Sequence, residues 1–439
     1  VSGFLNILWR AITGGNQPLF SIYSLGGIVW VMFLFYVPYA FLYTIGSFRS
    51  LDPALEEAAA IHGARGWTIV RTITLPLIRP ALVSASVLIF VLAAELFSIP
   101  GLLGAPAQIQ TLAYRILLAV RLYPSRWELA AAMGLILLII TLLGLYLYRW
   151  SVGNERRFIT VTGKGYRARR LELGRARWLA AAFCWLYVLV GVALPMGAIV
   201  LGSFLRFFTP MINARTLTTA NWTRMMQEGL TWTALRNTTI LSILAPTAVI
   251  LLAGLLTYLI LRVRIPGRQA LDYIMTLPVG VPGIVFAIGL IWVYVRTPLY
   301  ATVWILLLAF VTKFIPQGMR NLNAGLLQIH PELEESSIIC GANQWRTLWK
   351  ITLPLLQPTI VATWILVFVS TVRELSASVM LYTARTTTFS VLIWDYLEGG
   401  EYQKASVLSV IQVVLIVLLV LIARRVMSFG LAKQEVDGR

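Results

Sequence analysis

The sequence predicts an all-α, polytopic transmembrane helix bundle built from two tandem halves in parallel orientation, and three observations carry that prediction. Of 439 residues, 59% are hydrophobic and 12% charged, against roughly 45–50% and about 25% in soluble globular proteins. Nine apolar runs approach the ~20 residues a helix needs to cross a ~30 Å hydrocarbon core. A polar stretch also recurs, without a gap, 278 residues further along the chain. Lipid offers no partner to backbone N–H and C=O groups, so runs of this length are expected as internally bonded helices. The composition excludes a disulfide scaffold, a disordered chain and an ordinary soluble enzyme.

Taken in order, the expected spans are roughly 25–47, 80–101, 128–149, 178–202, 238–261, 271–295, 301–319, 358–379 and 405–424. Residues 1–24 are expected as a loop outside the membrane. The segments 48–79, 149–177, 262–270, 320–357 and the tail from Arg424 hold 23 of the 36 Lys and Arg residues, and 11 fall on the opposite side. That bias assigns the basic segments to the cytoplasm. The net charge of +18 is therefore read as topology and not as nucleic-acid binding. The domains expected are a first half at 1–150 with about three spans, a basic linker at 151–177 facing anionic lipid, and a second half at 178–439 with about six. Two histidines, His62 and His330, and two distant cysteines, Cys184 and Cys340, leave little material for a transition-metal site or a disulfide. No cofactor is expected.

Pro53–Pro80 aligns with Pro331–Pro358 with 14 identities in 28 positions. Each copy lies in a cytoplasmic segment and precedes two spans, so the repeated unit is a half-bundle of parallel and not inverted topology. One span precedes the first copy, whereas four precede the second within its half. Three helices are thus expected to be missing, and a start at Val1 reads as a fragment of a chain of about twelve spans. A short first half is the alternative.

Inside the repeat, the first copy reads E-A-A-x3-G-x9-I-x-L-P: Glu57, Ala58, Ala59, Gly63, Ile73, Leu75 and Pro76. The second copy holds Glu335, Ser336, Ser337, Gly341, Ile351, Leu353 and Pro354 at the same spacing. Good helix formers follow a helix-starting Pro53 with Asp52 before it, and the glycine permits a left-handed turn. The expected result is helix, turn, helix. A helix this short is marginal alone, since isolated helices below ~12–15 residues rarely persist; it needs the membrane body behind it and a partner in front.

This element resembles the cytoplasmic signature loop of permease subunits of ATP-binding-cassette importers. The resemblance implies that two copies of a separate ATPase subunit grip the two coupling helices, with the glutamate and glycine positions central. It also implies a periplasmic substrate-binding protein and a place in the bacterial inner membrane. Ser336 and Ser337 depart from the alanines of the first copy but remain small. The only Gly-Lys pair, Gly163-Lys164, is followed by Gly165 and has Phe158 where a Walker A loop needs glycine, so ATP hydrolysis is expected from the partner.

Two further windows, Ala94–Gly104 and Arg373–Tyr382, with weaker support from Pro18–Ser24, resemble the fused two-half permeases of the ferric-iron importer family. That resemblance implies ferric iron as substrate; related permeases for thiamine or aminoethylphosphonate are similar. Glu95 and Glu374 occupy matching places about 15 or 16 residues beyond Pro80 and Pro358, or ~22–24 Å along a helix. Carboxylates there are costly unless they face a cavity or a counter-charge. As hard oxygen ligands they suit a hard cation on the substrate path, and an ion pair with Lys313 or Arg373 accounts for them equally. The Pro278, Gly280, Pro282 and Gly283 cluster is expected to interrupt its span, either as a flexing pathway helix or as plain packing. A gradient-driven secondary transporter or a membrane scaffold is the reading of a different class.

Overall fold

A computed structural model describes residues 3–14, 17, 20–49, 51–155, 174, 176–207, 209, 213–263 and 266–437. Among these, eight helices are long and apolar enough to cross a membrane, and a pair of helices bent by 108° makes a ninth span if counted as one. The described residues carry one isolated bridge, Leu205 with Leu217, and are otherwise helix and loop. Contacts divide the chain into Val1–Ala198 and Ile199–Arg439. Most of the linker expected at 151–177, including Gly163-Lys164, lies outside the described residues.

In the first unit, Leu75–Glu95 packs against Leu25–Arg49 and Trp127–Glu155. Gly144 lies against Val91, where a β-carbon would come within 2.5 Å of the valine methyl. Tyr187, on Ala176–Val188, donates a hydrogen bond to the Leu34 carbonyl at 3.1 Å. The expected loop at 1–24 is corrected in part: Phe4–Thr13 is a helix, closed by Gly14 in the left-handed region. Phe4, Leu5, Leu8, Trp9 and Ile12 recur at helical spacing, but over ten residues, too few to register as a span.

In the second unit, Gly229–Arg262, Val303–Leu327 and Leu353–Val372 pack against one another. Two glycines of Val303–Leu327 permit the approach. A β-carbon at Gly318 would lie 2.6 Å from Val249, and one at Gly325 would lie 2.6 Å from Thr359. Small residues at such crossings let helix backbones close together where no hydrophobic force drives association in lipid. At the far end of Gly229–Arg262, Met225, Ala234, Phe389, Leu392, Val407 and Leu408 form a buried apolar cluster. Beside it, Glu228 accepts a 2.7 Å bond from the Tyr396 hydroxyl and lies 2.9 Å from Lys404.

The repeat is carried into three dimensions without slippage. Leu25–Arg49 corresponds to Val303–Leu327, Pro53–Ile61 to Pro331–Ile339, and the π turn Val70–Thr74 to Leu348–Thr352, each pair 278 residues apart at both ends. Two expected spans are corrected in their bounds. The helices expected at 80–101 and 358–379 begin earlier, at Gly66 and Gln344, and stop at Glu95 and Val372. A proline removes an N–H donor and crowds the carbonyl four residues before it. Here a π turn ends two residues before Pro76 and Pro354, and the helix continues through both and through Pro80 and Pro358.

Candidate coupling loops and substrate-path carboxylates

Each coupling loop is a short helix reversed by a glycine. In the first, Asp52 Oδ1 accepts from the Ala54 amide at 2.9 Å and Pro53 opens the helix Pro53–Ile61. It ends in a Schellman closure, with the Gly63 N–H on the Ala60 carbonyl (2.9 Å) and the Ala64 N–H on the Ala59 carbonyl (3.0 Å). The second loop, Pro331–Ile339, closes identically: Gly341 N–H on Ile338 at 2.9 Å and Ala342 N–H on Ser337 at 3.1 Å. Both glycines sit at positive φ, +83° and +87°. Side chains other than Asn and Asp rarely adopt that region, which is the physical reason glycine stands there. Ala59 and Ser337 thus supply the carbonyl that the turn folds back onto, and the Ser337 hydroxyl lies 2.9 Å from that of Thr347. Leu75 and Leu353 close the π turns through their N–H groups onto Val70 and Leu348.

The paired glutamates of each loop divide the work by direction. Glu57 and Glu335 are exposed, as are Ala58 and Ser336. Glu56 and Glu334 turn back toward the bundle: Thr74 donates to Glu56 at 2.7 Å and Thr352 to Glu334 at 2.8 Å. Glu334 is buried and also lies 3.1 Å from the Arg262 guanidinium. Ile61 and Ile339 are 84% and 85% exposed, and Trp67 and Trp345 are 77% and 66% exposed. Large apolar groups are thus presented openly at equivalent places on the two loops. The sequence reading passed over Glu56, Glu334, Thr74, Thr352, Ile61, Ile339, Trp67 and Trp345 as site residues. Their signal was present, since all eight are identities of the repeat.

Glu95 is half-buried at the last position of Leu75–Glu95, and Glu374 follows Val372 by two residues, so both mark the end of a helix. Glu374 is buried, and donors surround it. Lys313 Nζ and the Ala377 N–H reach Oε1 at 3.1 and 3.0 Å, and the Ser378 N–H and hydroxyl reach Oε2 at 3.1 and 2.9 Å. The Pro278–Gly283 cluster does interrupt its span, between Arg268–Gly280 and Gly283–Tyr294. A β-carbon at Gly283 would lie 2.8 Å from Lys313 Nζ and 2.9 Å from Ser376, so the break, the lysine and the glutamate meet at one junction. Part of the Pro18–Ser24 window, Pro18 and Leu19, lies outside the described residues.

Comparison with known proteins joins these features. The chain is 30% identical over 390 residues to the ferric transport system permease protein FbpB of Actinobacillus pleuropneumoniae, covering 87% of this chain and 55% of the relative. It is 30% identical over 377 residues to the putative ferric transport system permease protein FbpB 1 of Haemophilus influenzae, covering 84% of this chain and 58% of the relative. The chain thus spans less than two thirds of the length of these curated relatives. A chain from the crystal structure of a bacterial ABC transporter involved in the import of the acidic polysaccharide alginate aligns with a TM-score of 0.47 at 22% identity, over 57% of this chain and 95% of that one. The profile of the family described as binding-protein-dependent transport system inner membrane component matches residues 6–157 and 250–429, two segments that each contain one coupling loop. With most of its length and both loops inside that match, this multi-pass membrane chain belongs to the family of binding-protein-dependent transport system inner membrane components.

Proposed function

We propose that the chain is the translocating subunit of an ATP-driven importer, which takes its substrate from a binding protein and is moved by two copies of a separate ATPase. The observation that carries this reading is the pair of coupling loops. Both have the same helix and Schellman turn, an exposed glutamate (Glu57 or Glu335), an exposed isoleucine and an exposed tryptophan, at equivalent places in two repeats. Glu57, Ala58, Ala59, Gly63, Leu75 and Pro76, with Glu335, Ser336, Ser337, Gly341, Leu353 and Pro354, form the ATPase-coupling elements. ATP binding in the partner draws the two loops together, and the spans continuous with them tilt, so that access to the substrate path alternates.

Ferric iron is the substrate this reading favours, supported by the names of the two relatives at 30% identity. Glu95, half-buried where its helix ends, is the carboxylate we assign to the path, a hard oxygen donor suited to a hard cation. Glu374 came from the same expectation, but four donors occupy its carboxylate, and the ion pair with Lys313 is the role we give it. The halves are taken as 1–150 and 178–439, joined by the linker.

The test is uptake of radiolabelled ferric iron into vesicles holding the full chain, with ATPase and binding protein supplied or withheld. Uptake is expected only when all are present with ATP. Transport by the chain alone, driven by an ion gradient, would instead establish a secondary transporter. Competition by thiamine or aminoethylphosphonate, with iron ignored, would overturn the substrate.

A further inference from the structure

Arg262 ends the span Gly229–Arg262, and its guanidinium reaches elements far from it in sequence. Nη2 donates to the Ile329 carbonyl at 2.7 Å and the Leu326 carbonyl at 3.3 Å, at the end of Val303–Leu327. Ile329 lies two residues beyond the helix and Leu326 in its last turn, where a cation meets the negative end of the helix dipole. Nε lies 3.1 Å from Oε2 of Glu334, in the coupling helix Pro331–Ile339. The other oxygen of Glu334 accepts from Thr352, which lies in the π turn leading into Leu353–Val372.

One side chain thus ties the second coupling helix to the ends of two spans, and its partner ties it to a third. Only 12% of the arginine and 11% of the glutamate side chain is exposed, so water screens the pair weakly. Glu334 is also the one buried residue of Pro331–Ile339; the remaining positions are exposed or half-buried. A push on this helix therefore has a largely buried, charged linkage by which to reach the bundle. The planar fork of arginine serves carbonyls and carboxylate together, which a lysine point charge does less well.

We infer that Arg262 is the positioning residue that carries displacement of the second coupling helix into the spans Gly229–Arg262 and Val303–Leu327. The inference rests on the reading of Pro331–Ile339 as an ATPase-gripped element, and two measurements keep the two apart. The first is amide hydrogen exchange on the purified full chain, comparing wild type, Arg262→Gln and Arg262→Lys. Exchange across 331–339 should quicken at least tenfold in Arg262→Gln, with Arg262→Lys intermediate and the interior of Gly229–Arg262 unchanged. The second is substrate imported per ATP hydrolysed in vesicles with ATPase and binding protein. It should fall at least fivefold in Arg262→Gln and recover in part in Arg262→Lys, while ATPase co-purification is unaltered.

Unchanged exchange in Arg262→Gln would overturn the inference. So would faster exchange with full coupling, which would leave Arg262 an anchor that transmits nothing. Should Arg262→Gln fail to accumulate, Glu334→Gln and Thr352→Val weaken the same linkage from its other side and are read the same way. A wild-type chain that binds no ATPase would bring down the functional reading and the inference with it. The exchange measurement uses the chain alone, and so tells that failure from a failure of the anchor.

Discussion

Lys313 Nζ stands 3.1 Å from Oε1 of Glu374, at the break where Gly283 leaves no room for a β-carbon. Lys313 lies within Val303–Leu327 and Glu374 two residues beyond the end of Leu353–Val372, so the pair fixes the junction of these elements with the bent pair. Removing one partner of a buried pair leaves the other charge uncompensated, a loss of about 3–5 kcal/mol. Lys313→Met should therefore lower stability by that order, and adding Glu374→Gln should return part of it. A double-mutant cycle on detergent-solubilised protein measures this; additive losses would show that the pair is not coupled.

The glycines of the coupling loops are expected to serve the partner as much as the turn. No atom lies within 4 Å of a β-carbon built on Gly63 or Gly341, so a side chain there meets only what docks from outside. Aspartate tolerates the left-handed region better than most residues, and Gly63→Asp or Gly341→Asp should leave insertion intact while abolishing coupled uptake. Membrane yield and transport measured together test this. Normal transport in either variant would count against the loop assignment.

Ile61 and Ile339 make the complementary case. Exposed substitutions away from special features change stability by within about 0.5 kcal/mol, whereas anchors at an interface contribute about 2 kcal/mol or more. Ile61→Ser and Ile339→Ser should leave the melting temperature of the isolated chain nearly unchanged and weaken ATPase binding by roughly thirtyfold each. Affinity equal to wild type in both variants would place the docking surface elsewhere.

The inward glutamates should differ in degree. Hydrogen bonds to charged groups contribute about 1.5–3 kcal/mol, and Glu334 is buried where Glu56 is half-buried. Thr352→Val is accordingly expected to destabilise its loop more than Thr74→Val destabilises the other. Limited proteolysis after Arg346 and Arg65 reports the two loops separately. Equal protection would mean that burial of Glu334 adds nothing.

Acidification should weaken the far end of the second unit. Burial alone would raise the Glu228 carboxyl, but the Tyr396 hydroxyl and then Lys404 outweigh it and hold the group below its ordinary value. A carboxyl lowered in the folded state stabilises above its unfolded value, about 4.3, and that contribution is lost as pH falls through the lower, folded value. The difference in melting temperature between wild type and Glu228→Gln should thus be full at neutral pH and shrink below about pH 4. A difference independent of pH would refute it.

Much of this architecture was legible from the chain because two signals are local. Long apolar runs locate Leu25–Arg49, Gly229–Arg262 and Tyr402–Ile422, and the repeat locates both loops with their glycine turns. The break at Pro278–Gly283 was also readable, since proline and glycine act where they stand. Hidden were ten-residue helices such as Phe4–Thr13, Leu112–Arg121 and Phe389–Glu398, which are too short for a span. The partner of Glu334, Arg262, lies 72 residues away in sequence, and no periodicity encodes such a pair, whereas Lys313 stood out as a candidate partner of Glu374 because it is an ionisable residue inside a span. The starts of the spans after each loop were also hidden, because the more polar residues ahead of Pro80 and Pro358 continue the same helix through a π turn.

Those π turns have a bearing on phase. An i→i+5 turn holds one residue more than an α turn, and one residue of α-helix is about 100° of rotation. The azimuth at which each loop leaves its span is thus set by a single surplus residue within Val70–Thr74 or Leu348–Thr352. Excising one residue there would restore ordinary winding, yet swing Ile61 and Trp67, or Ile339 and Trp345, to a different bearing around the axis.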